Sequence, residues 1–309
     1  MAKHSGDGLK LIPSPQILRS FHSLQDDNLL IIGIKSEKGV LTGGLSISPV
    51  KKTMLVLSIG DIIGRPGRQA VEKLLPILKK QYKPDLVIAN GENVAGGVGL
   101  TKLTAEDLIK AGVDVITSGN HIWAQKDIIP CLDSDMPVIR PMNYPPGLPG
   151  NGYIVFQKKA VVVNLIGRTF IGNFDCPFRG MDDLLIKLAG QYKIIIIDFH
   201  AEATSEKMAL GRYLDGRVSA ILGTHTHVGT IDAQILPQGT AYVTDIGMTG
   251  PVDSVIGDDA DAVIERFLSM IPKRLSVGKG KVLMTAILTE IDEATGKATR
   301  IERITEEIE

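Results

Sequence analysis

Short apolar runs alternate with segments of helical periodicity along almost the whole chain after Met54. The runs MLVLSIG, DLVIAN, VDVITSG, KIIIIDF and VSAILG have the length of strands, whereas GRQAVEKLLPILKKQ and TAEDLIKAG repeat apolar residues at helical spacing. Strands that are apolar throughout are typical of sheets covered on both faces. The alternation therefore predicts an α/β fold in which helices pack on the faces of the sheets.

Several local features refine this prediction. Thr104 is the expected N-cap of the second helix and Gly112 its end, while Pro76 is expected to bend the first helix. The runs YIVFQ and AVVVNLIG predict a hairpin around Lys158 and Lys159, and KVLMTAILTEID with ATRIERI predicts a second hairpin near the C-terminal end.

The first 53 residues lack this pattern. They have mixed polarity and end in GVLTGGLSISPVKKT, a composition typical of a linker. They also lack the basic-then-apolar order of a secretory signal. We therefore expect an accessory or poorly ordered N-terminal extension over residues 1–53, or a start codon assigned too early, followed by one domain over residues 54–309.

Composition weighs against two classes of function and indicates a compartment. Lys+Arg 34 against Asp+Glu 35 gives a formal charge of -1, which gives no sign of a general polyanion binder. No apolar run approaches the ~20 residues of a membrane-spanning helix, so no membrane segment is expected. Cys131 and Cys176 lie outside any CxxC pair, which favours a reducing compartment and hence a cytoplasmic location.

Polar residues that can bind metal ions follow five of the apolar runs. They are Asp61, Glu92, Asn93, Asn120, His121, His200, His225 and His227. Because the working crevice of an α/β sheet lies beyond the carboxyl ends of its strands, we expect these side chains to meet. Each has an ordinary alternative when taken singly: a capping aspartate, a loop polar residue, a turn asparagine or a core histidine. Their shared position favours a metal site.

The expected donor set indicates the kind of metal. Carboxylate, amide oxygen and imidazole without thiolate suit iron, manganese or zinc. The candidates are too numerous for one tetrahedral zinc ion. One carboxylate would be able to bridge two ions about 3.5–4 Å apart, the geometry that phosphatases and nucleases use. We therefore predict a site for two metal ions.

Six stretches, in this order, resemble the YmdB-like branch of the calcineurin-like metallophosphoesterase superfamily. They are GDIIGRPGR, ANGENVAGGVGLT, SGNHIW, DFHAEATSEK, GTHTHVGT and YVTDIGMTGPVDSVIG. The resemblance extends from Met54 to Ile304. Ile63 stands where the superfamily's Asp-x-His motif has its histidine, and Gly91-Glu92-Asn93 replaces its Gly-Asp. Both departures are features of the YmdB-like branch.

The resemblance implies a four-layer α/β metallophosphoesterase fold, with two stacked mixed β-sheets flanked by helices. It also implies two metal ions, iron or manganese, with Glu92 as the bridging ligand. One ion would be held by Asp61, Glu92, Asn93 and His227, and the other by Glu92, Asn120, His200 and His225. The implied reaction is hydrolysis of cyclic nucleotides, typically 2′,3′-cyclic AMP, by a homo-oligomer.

These ligands imply a mechanism in which a hydroxide that bridges the two ions attacks phosphorus. His121 has no metal role in this set and would protonate the leaving group, unless it only orients or packs. Arg65 and Arg68 are candidate phosphate contacts, or else surface arginines at the start of a helix. The segment MTGPVDSVIG, marked by glycine and proline, is expected to form a loop over the site.

Three other functions stay open from the sequence. The first is a broad phosphomonoesterase or an RNA-directed phosphodiesterase, although the near-neutral charge weighs against long nucleic acid as the main substrate. The second is a regulatory RNA- or protein-binding module that keeps the metal site for stability. The third is a mononuclear metal-binding protein or a structural protein.

Overall fold

Two β-sheets with helices on their outer faces make up residues 52–308, the part of the chain that the computed structural model describes. The predicted extension over residues 1–53 lies outside the described residues except for Lys52 and Thr53. Thr53 already belongs to the first strand. Within the described residues, every helix is too short or too polar to cross a lipid bilayer.

The strands are numbered in chain order. Their bounds are β1 Thr53–Ile59, β2 Asp61–Ile62, β3 Leu86–Asn90, β4 Val115–Thr117, β5 Tyr153–Phe156, β6 Ala160–Ile166, β7 Ile194–His200, β8 Ala220–Thr224, β9 Gln234–Ile235, β10 Ala241–Val243, β11 Met248–Pro251, β12 Val282–Asp292 and β13 Ala298–Ile308. The first sheet has the order β2-β11-β12-β1-β3-β4, with β13 also paired to β12. The second sheet has the order β5-β6-β7-β8-β10-β9.

Five α-helices and one short 3₁₀-helix accompany the strands in the described part of the chain. Their bounds are α1 Gly64–Tyr82, α2 Lys102–Ala111, α3 Pro177–Leu188, α4 Thr204–Leu214, α5 Ala260–Ser269 and the 3₁₀-helix Lys126–Cys131. Both sheets contain parallel and antiparallel pairs, so both are mixed.

Strand β7 shows why the all-apolar runs form buried strands. All seven of its residues are buried. Successive side chains of a strand point to opposite faces. Ile194 and Ile196 accordingly join a core between the two sheets, whereas Ile195 and Ile197 join a core beneath the helices. Full burial of one such side chain contributes about 1.5–3 kcal/mol.

Three apolar cores separate four layers. One core joins the first sheet to α1 and α2, through residues such as Leu57 and Leu75. The central core joins the sheets to each other, with Val56 and Leu222 on opposite sides. The third joins the second sheet to α3 and α4. The predicted fold class, two stacked mixed sheets flanked by helices, is confirmed.

Both predicted hairpins are present: β5 pairs with β6 across the turn at Lys158, and β12 pairs with β13. The N-cap prediction for α2 is wrong by one turn. Thr101 caps the helix, and Thr104 is the third helical residue, whose hydroxyl oxygen accepts from the Thr101 backbone nitrogen at 3.0 Å. Gly112 ends the helix in a left-handed conformation, as predicted. Part of the predicted loop MTGPVDSVIG is the strand β11, which pairs with β2 and β12.

Candidate metal centre

The carboxyl ends of parallel strands from both sheets meet at one site. In the first sheet β1, β3 and β4 are parallel, and in the second sheet β7 and β8 are parallel. The residues at these ends are Asp61 after β1, Glu92 and Asn93 after β3, Asn120 after β4, His200 at the end of β7, and His225 and His227 after β8. These are all seven of the predicted metal ligands. The structure joins them in one network of close contacts.

Glu92 lies at the centre of this network. Its Oε1 atom is 3.1 Å from His200 Nε2, and both side chains are buried. The Asn93 side-chain nitrogen donates to the same oxygen at 3.2 Å. The backbone nitrogen of His121 donates to Oε2 at 3.1 Å. Both carboxylate oxygens are therefore fixed in direction.

Three candidate ligand atoms lie around His200 Nε2, and the first is Glu92 Oε1. The Nδ1 atom of His225 is 3.0 Å from it, and the Oδ1 atom of Asn120 is 3.1 Å from it. Ligand atoms of Glu92, His200 and His225 all lie within 4.8 Å of one another. Such a group of carboxylate and imidazole atoms has the spacing to hold a metal ion.

A second group lies around Asp61 and His227. The Nε2 atom of His227 is 3.8 Å from Asp61 Oδ1 and 3.2 Å from the Asn93 side-chain nitrogen. The Asp61 Oδ2 atom accepts a hydrogen bond from the His225 backbone nitrogen at 3.1 Å. Asp61 Oδ1, in contrast, is buried and has no hydrogen-bond partner within residues 52–308. A buried carboxylate oxygen left in this way is costly unless a cation compensates it.

Burial and neighbouring charges shift the pKa values in opposite directions. Burial raises the pKa of Asp61 to about 6. Burial would also raise the pKa of Glu92, but the charge and hydrogen bond of His200 outweigh it and lower this pKa to about 2. Burial acts to lower the pKa of His200, and the Glu92 carboxylate outweighs it, so this pKa is raised to about 9. Burial and the charge of His200 together lower the pKa of His225 to about 3.

These properties fit a metal cation. The lowered pKa of His225, about 3, keeps its imidazole neutral at pH 7, as a metal ligand must be, and Asp61 Oδ1 has no hydrogen-bond partner among the described residues. The gathered donors are carboxylate, imidazole and amide, the set that suits iron, manganese and zinc.

Neighbouring hydrogen bonds orient the histidines. The Thr224 hydroxyl donates to Asp198 Oδ1 at 2.6 Å, so its oxygen accepts from His200 Nδ1 at 3.0 Å. His227 Nδ1 donates to the backbone oxygen of Ile256 at 2.6 Å. In both rings the Nε2 atom is thereby directed to the site, which is the usual arrangement of metal-binding histidines.

Sequence reasoning missed two carboxylates that support this arrangement. Asp198 is buried and also accepts from Thr117 and, at 3.0 Å, from Asn90. Glu202 Oε2 is 2.9 Å from His225 Nε2. Asp198 lies two residues before His200, and Glu202 lies two after it, in the quoted stretch DFHAEATSEK. Residues two apart in an extended chain point to the same side, so the sequence could have indicated that both carboxylates lie near His200.

The remaining candidates have different surroundings. His121 is half-buried, and its backbone nitrogen, which donates to Glu92 Oε2 at 3.1 Å, holds the residue beside the cluster. Arg68 Nη1 donates to the backbone oxygen of Val94, and its Nε is 3.7 Å from Asp107 Oδ2. Arg65 and Arg68 both line a groove of about 390 Å³ along α1 and α2. The Arg68 guanidinium thus braces the loop that carries Glu92 and Asn93.

Known proteins resemble this chain in sequence and in structure. It is 49% identical over 254 residues to the 2′,3′-cyclic-nucleotide 2′-phosphodiesterase of Bacillus subtilis, a match that covers 81% of this chain and 96% of that protein. A phosphatase from Mycoplasma pneumoniae has a crystal structure that superposes with a TM-score of 0.79 at 35% identity, covering 84% of this chain and 95% of the other.

A further crystal structure, of a hypothetical protein from Thermus thermophilus, superposes with a TM-score of 0.78 at 44% identity and covers 83% of this chain and 100% of the other. The model of the YmdB-like protein family matches residues 57–304. This match spans nearly all of the described residues and includes every residue of the network around Glu92. The resemblance found in the sequence is confirmed, and the chain belongs to the YmdB-like family.

Proposed function

We propose that this protein is a metal-dependent phosphodiesterase that hydrolyses cyclic nucleotides, with 2′,3′-cyclic AMP as its main substrate. The observation that carries the proposal is the convergence of seven carboxylate, amide and imidazole side chains from two sheets, with Glu92 at their centre and one Asp61 oxygen that has no hydrogen-bond partner among residues 52–308. The relative from Bacillus subtilis is named for the same reaction class, and it shares about half of its residues with this chain.

Two metal ions, iron or manganese, are proposed at this site. Asp61, Glu92, Asn93 and His227 would hold one ion, and Glu92, Asn120, His200 and His225 the other. The contacts of the two asparagines and of His225 support this division, since Asn93 approaches His227 whereas Asn120 and His225 approach His200. Asp61 Oδ1 lies between the groups, 3.8 Å from His227 Nε2 and 3.9 Å from His200 Nδ1. When bound, the ions supply positive charge that stabilises the negative charge developing on phosphate oxygens during hydrolysis.

The chain's own residues would orient the substrate and move a proton. Glu92 is fixed by the His121 backbone nitrogen and by His200, and it would keep the two groups of ligands at a constant distance from each other. The His121 imidazole would protonate the ribose oxygen that leaves phosphorus, because it lies beside the cluster without belonging to either ligand group. The predicted contacts of Arg65 and Arg68 with phosphate stay predictions, and Arg68 already braces the Glu92 loop through Val94.

We further propose that the catalytic domain begins near residue 54, that the protein acts in the cytoplasm and that it forms a homo-oligomer. The start of β1 at Thr53 supports the first proposal, and the scarcity of cysteine supports the second. Size-exclusion chromatography with light scattering tests the third.

The decisive experiment compares metal content with turnover. Purified protein is assayed with 2′,3′-cyclic AMP, 3′,5′-cyclic AMP, p-nitrophenyl phosphate and a short RNA, after removal of metal and after addition of Mn²⁺ or Fe²⁺. We expect turnover of 2′,3′-cyclic AMP to exceed the others and to require metal, at about two ions per chain. Metal near one ion per chain would favour a mononuclear site.

Two variants extend the experiment. Glu92→Gln and His200→Ala should each lower kcat/KM by about 10³-fold or more, because each removes a group that contacts several others at the centre. Glu265→Gln, which changes an exposed glutamate of α5, is the matched control. If a cellular phenotype survives Glu92→Gln while hydrolysis is lost, a regulatory binding function replaces the proposed one.

A further inference from the structure

A buried ion pair lies beneath the loop that carries His225 and His227. Lys207 of α4 and Asp245, which follows β10, are 1% and 0% exposed, and Lys207 Nζ is 2.7 Å from Asp245 Oδ2. Removing two charges from water is unfavourable unless good geometry and further hydrogen bonds compensate it. Neither residue belongs to the proposed ligands or to the proton transfer.

Both charges also bond to the loop on either side of His225. Lys207 Nζ donates to the backbone oxygen of Thr224 at 2.8 Å. Asp245 Oδ2 accepts from the backbone nitrogen of Thr226 at 3.1 Å and from its hydroxyl at 2.8 Å. The residues before and after His225 are thus held by the same ion pair.

The segment that begins at Asp245 runs along the rest of the loop. Asp245 Oδ1 accepts from the Gly247 backbone nitrogen at 2.8 Å, which fixes the turn of this segment. The backbone nitrogen of Ile246 donates to the backbone oxygen of Gly223 at 2.8 Å, and that of Met248 donates to the backbone oxygen of His227 at 3.0 Å. Asp245 therefore anchors a strip of backbone that contacts the loop from Gly223 to His227.

The loop needs such support because its two histidines have unfavourable backbone conformations. The φ angle is +99° at His225 and +64° at His227. Residues with a side chain seldom adopt positive φ, and they keep it only where the surroundings enforce it. Hydrogen bonds that hold the loop on both sides of His225 provide such surroundings.

We propose that Lys207 and Asp245 are positioning residues that hold His225 and His227 in the conformation that binds metal. The inference rests on the proposed metal site. Any buried ion pair needs further hydrogen bonds, so what points to a positioning role is where the bonds of this pair lie, on both sides of His225. Here three bonds from the pair end on Thr224 and Thr226.

The test measures metal affinity in folded protein, independently of turnover. Asp245→Asn and Thr226→Val are compared with the wild type by titrating the metal-free full chain with Mn²⁺ and following free Mn²⁺ by electron paramagnetic resonance. We expect Mn²⁺ binding at least tenfold weaker for Asp245→Asn and about threefold weaker for Thr226→Val. Saturating Mn²⁺ should restore most of kcat, because the ligands themselves are unchanged.

A matched control removes an ion pair elsewhere. Arg217 Nη2 is 2.6 Å from Asp182 Oδ1 at the surface, and this pair has no bond to the loop. Arg217→Met should keep Mn²⁺ affinity within twofold of the wild type. Circular dichroism and the melting temperature of every metal-free variant establish that the protein measured is folded.

The outcomes separate this inference from the proposed function. Wild-type protein that binds neither Mn²⁺ nor, in equilibrium dialysis, Fe²⁺ refutes both. Wild-type protein that binds Mn²⁺, with Asp245→Asn and Thr226→Val both within twofold of it, refutes the positioning role alone. If Asp245→Asn does not fold, Thr226→Val decides the question, since valine has nearly the volume of threonine and removes only the hydroxyl that bonds to Asp245.

Discussion

Gly119 precedes Asn120 at a point where even one added carbon would collide with the candidate metal centre. A β-carbon at this position would lie 2.2 Å from His200 Cδ2, 2.3 Å from Glu92 Oε2 and 2.4 Å from His200 Nε2. Carbon atoms in contact are about 3.5 Å apart, so the His200 ring would have to retreat by about 1.3 Å. His200 is fully buried and Glu92 Oε2 is bonded to the His121 backbone, so neither group can move without losing other contacts.

We therefore expect Gly119→Ala to lower kcat/KM for 2′,3′-cyclic AMP by about 10²-fold, since a displacement of about 1 Å in a reacting group has an effect of that size. This loss corresponds to about 2.7 kcal/mol of transition-state stabilisation. Metal content, measured by plasma emission spectrometry on the same samples, should fall with it. The φ angle of Gly119 lies outside the range that favours glycine, so the effect comes from contact and not from backbone strain.

The control is Gly180→Ala in α3. A β-carbon there has Met142 Cε at 3.5 Å as its nearest neighbour, an ordinary contact. Alanine at this helical position should raise stability by about 0.5–1 kcal/mol and leave kcat/KM unchanged. Full turnover and full metal content in Gly119→Ala would refute the reasoning. They would show that the His200 ring and the Glu92 carboxylate can be displaced without loss of metal binding or of the reaction.

Three further predictions concern metal binding, substrate binding and stability. In the metal-free protein the pKa of His200 is raised to about 9, so it carries a proton below that pH; metal must displace the proton, and affinity should fall as pH falls. Calorimetric titration with Mn²⁺ near pH 7.5 should therefore show release of about one proton per site, and heats that do not depend on the buffer would contradict this. Arg65→Ala should raise KM for 2′,3′-cyclic AMP about tenfold with kcat little changed, and an unchanged KM would exclude a contact with phosphate. Thr101→Ala should lower the free energy of unfolding by about 1 kcal/mol in urea denaturation without affecting turnover, because it removes the N-cap of α2; equal midpoints would show that this cap contributes nothing.

The candidate ligands could be identified from the sequence because they depend on local order. Apolar runs such as KIIIIDF make the strands, and the residue that follows a strand in an α/β sheet reaches the carboxyl edge wherever the strand lies. His200 and Glu92 were therefore found without knowing which strands are neighbours. Which strands lie near each other is visible only in the structure. It shows that β3 and β7 belong to different sheets and that Glu92, after β3, contacts His200, at the end of β7.

Features that depend on contacts between residues far apart in the sequence could not be predicted from local order. Lys207 lies in a helical segment where a lysine is ordinarily exposed, and its partner Asp245 is 38 residues away. Thr104 is predicted as the N-cap of α2 because it opens the helical run TAEDLIKAG, but Thr101 has the same capping chemistry and only the backbone shows that it precedes the helix. Strands such as β2, with two residues, are too short for a periodic pattern and exist through pairing with β11.

The division of the ligands between two sheets has a consequence for the assembly of the molecule. Asp61 and Glu92 belong to the first sheet and His200 and His225 to the second, and the Asp61–His225 contact joins residues 164 positions apart. A cation bound by ligands from both sheets would link the two sheets to each other. A nascent chain that has completed only its first half lacks His200 and His225. It would therefore lack both this link and the site that hydrolyses a phosphate ester, so incomplete chains would be inactive.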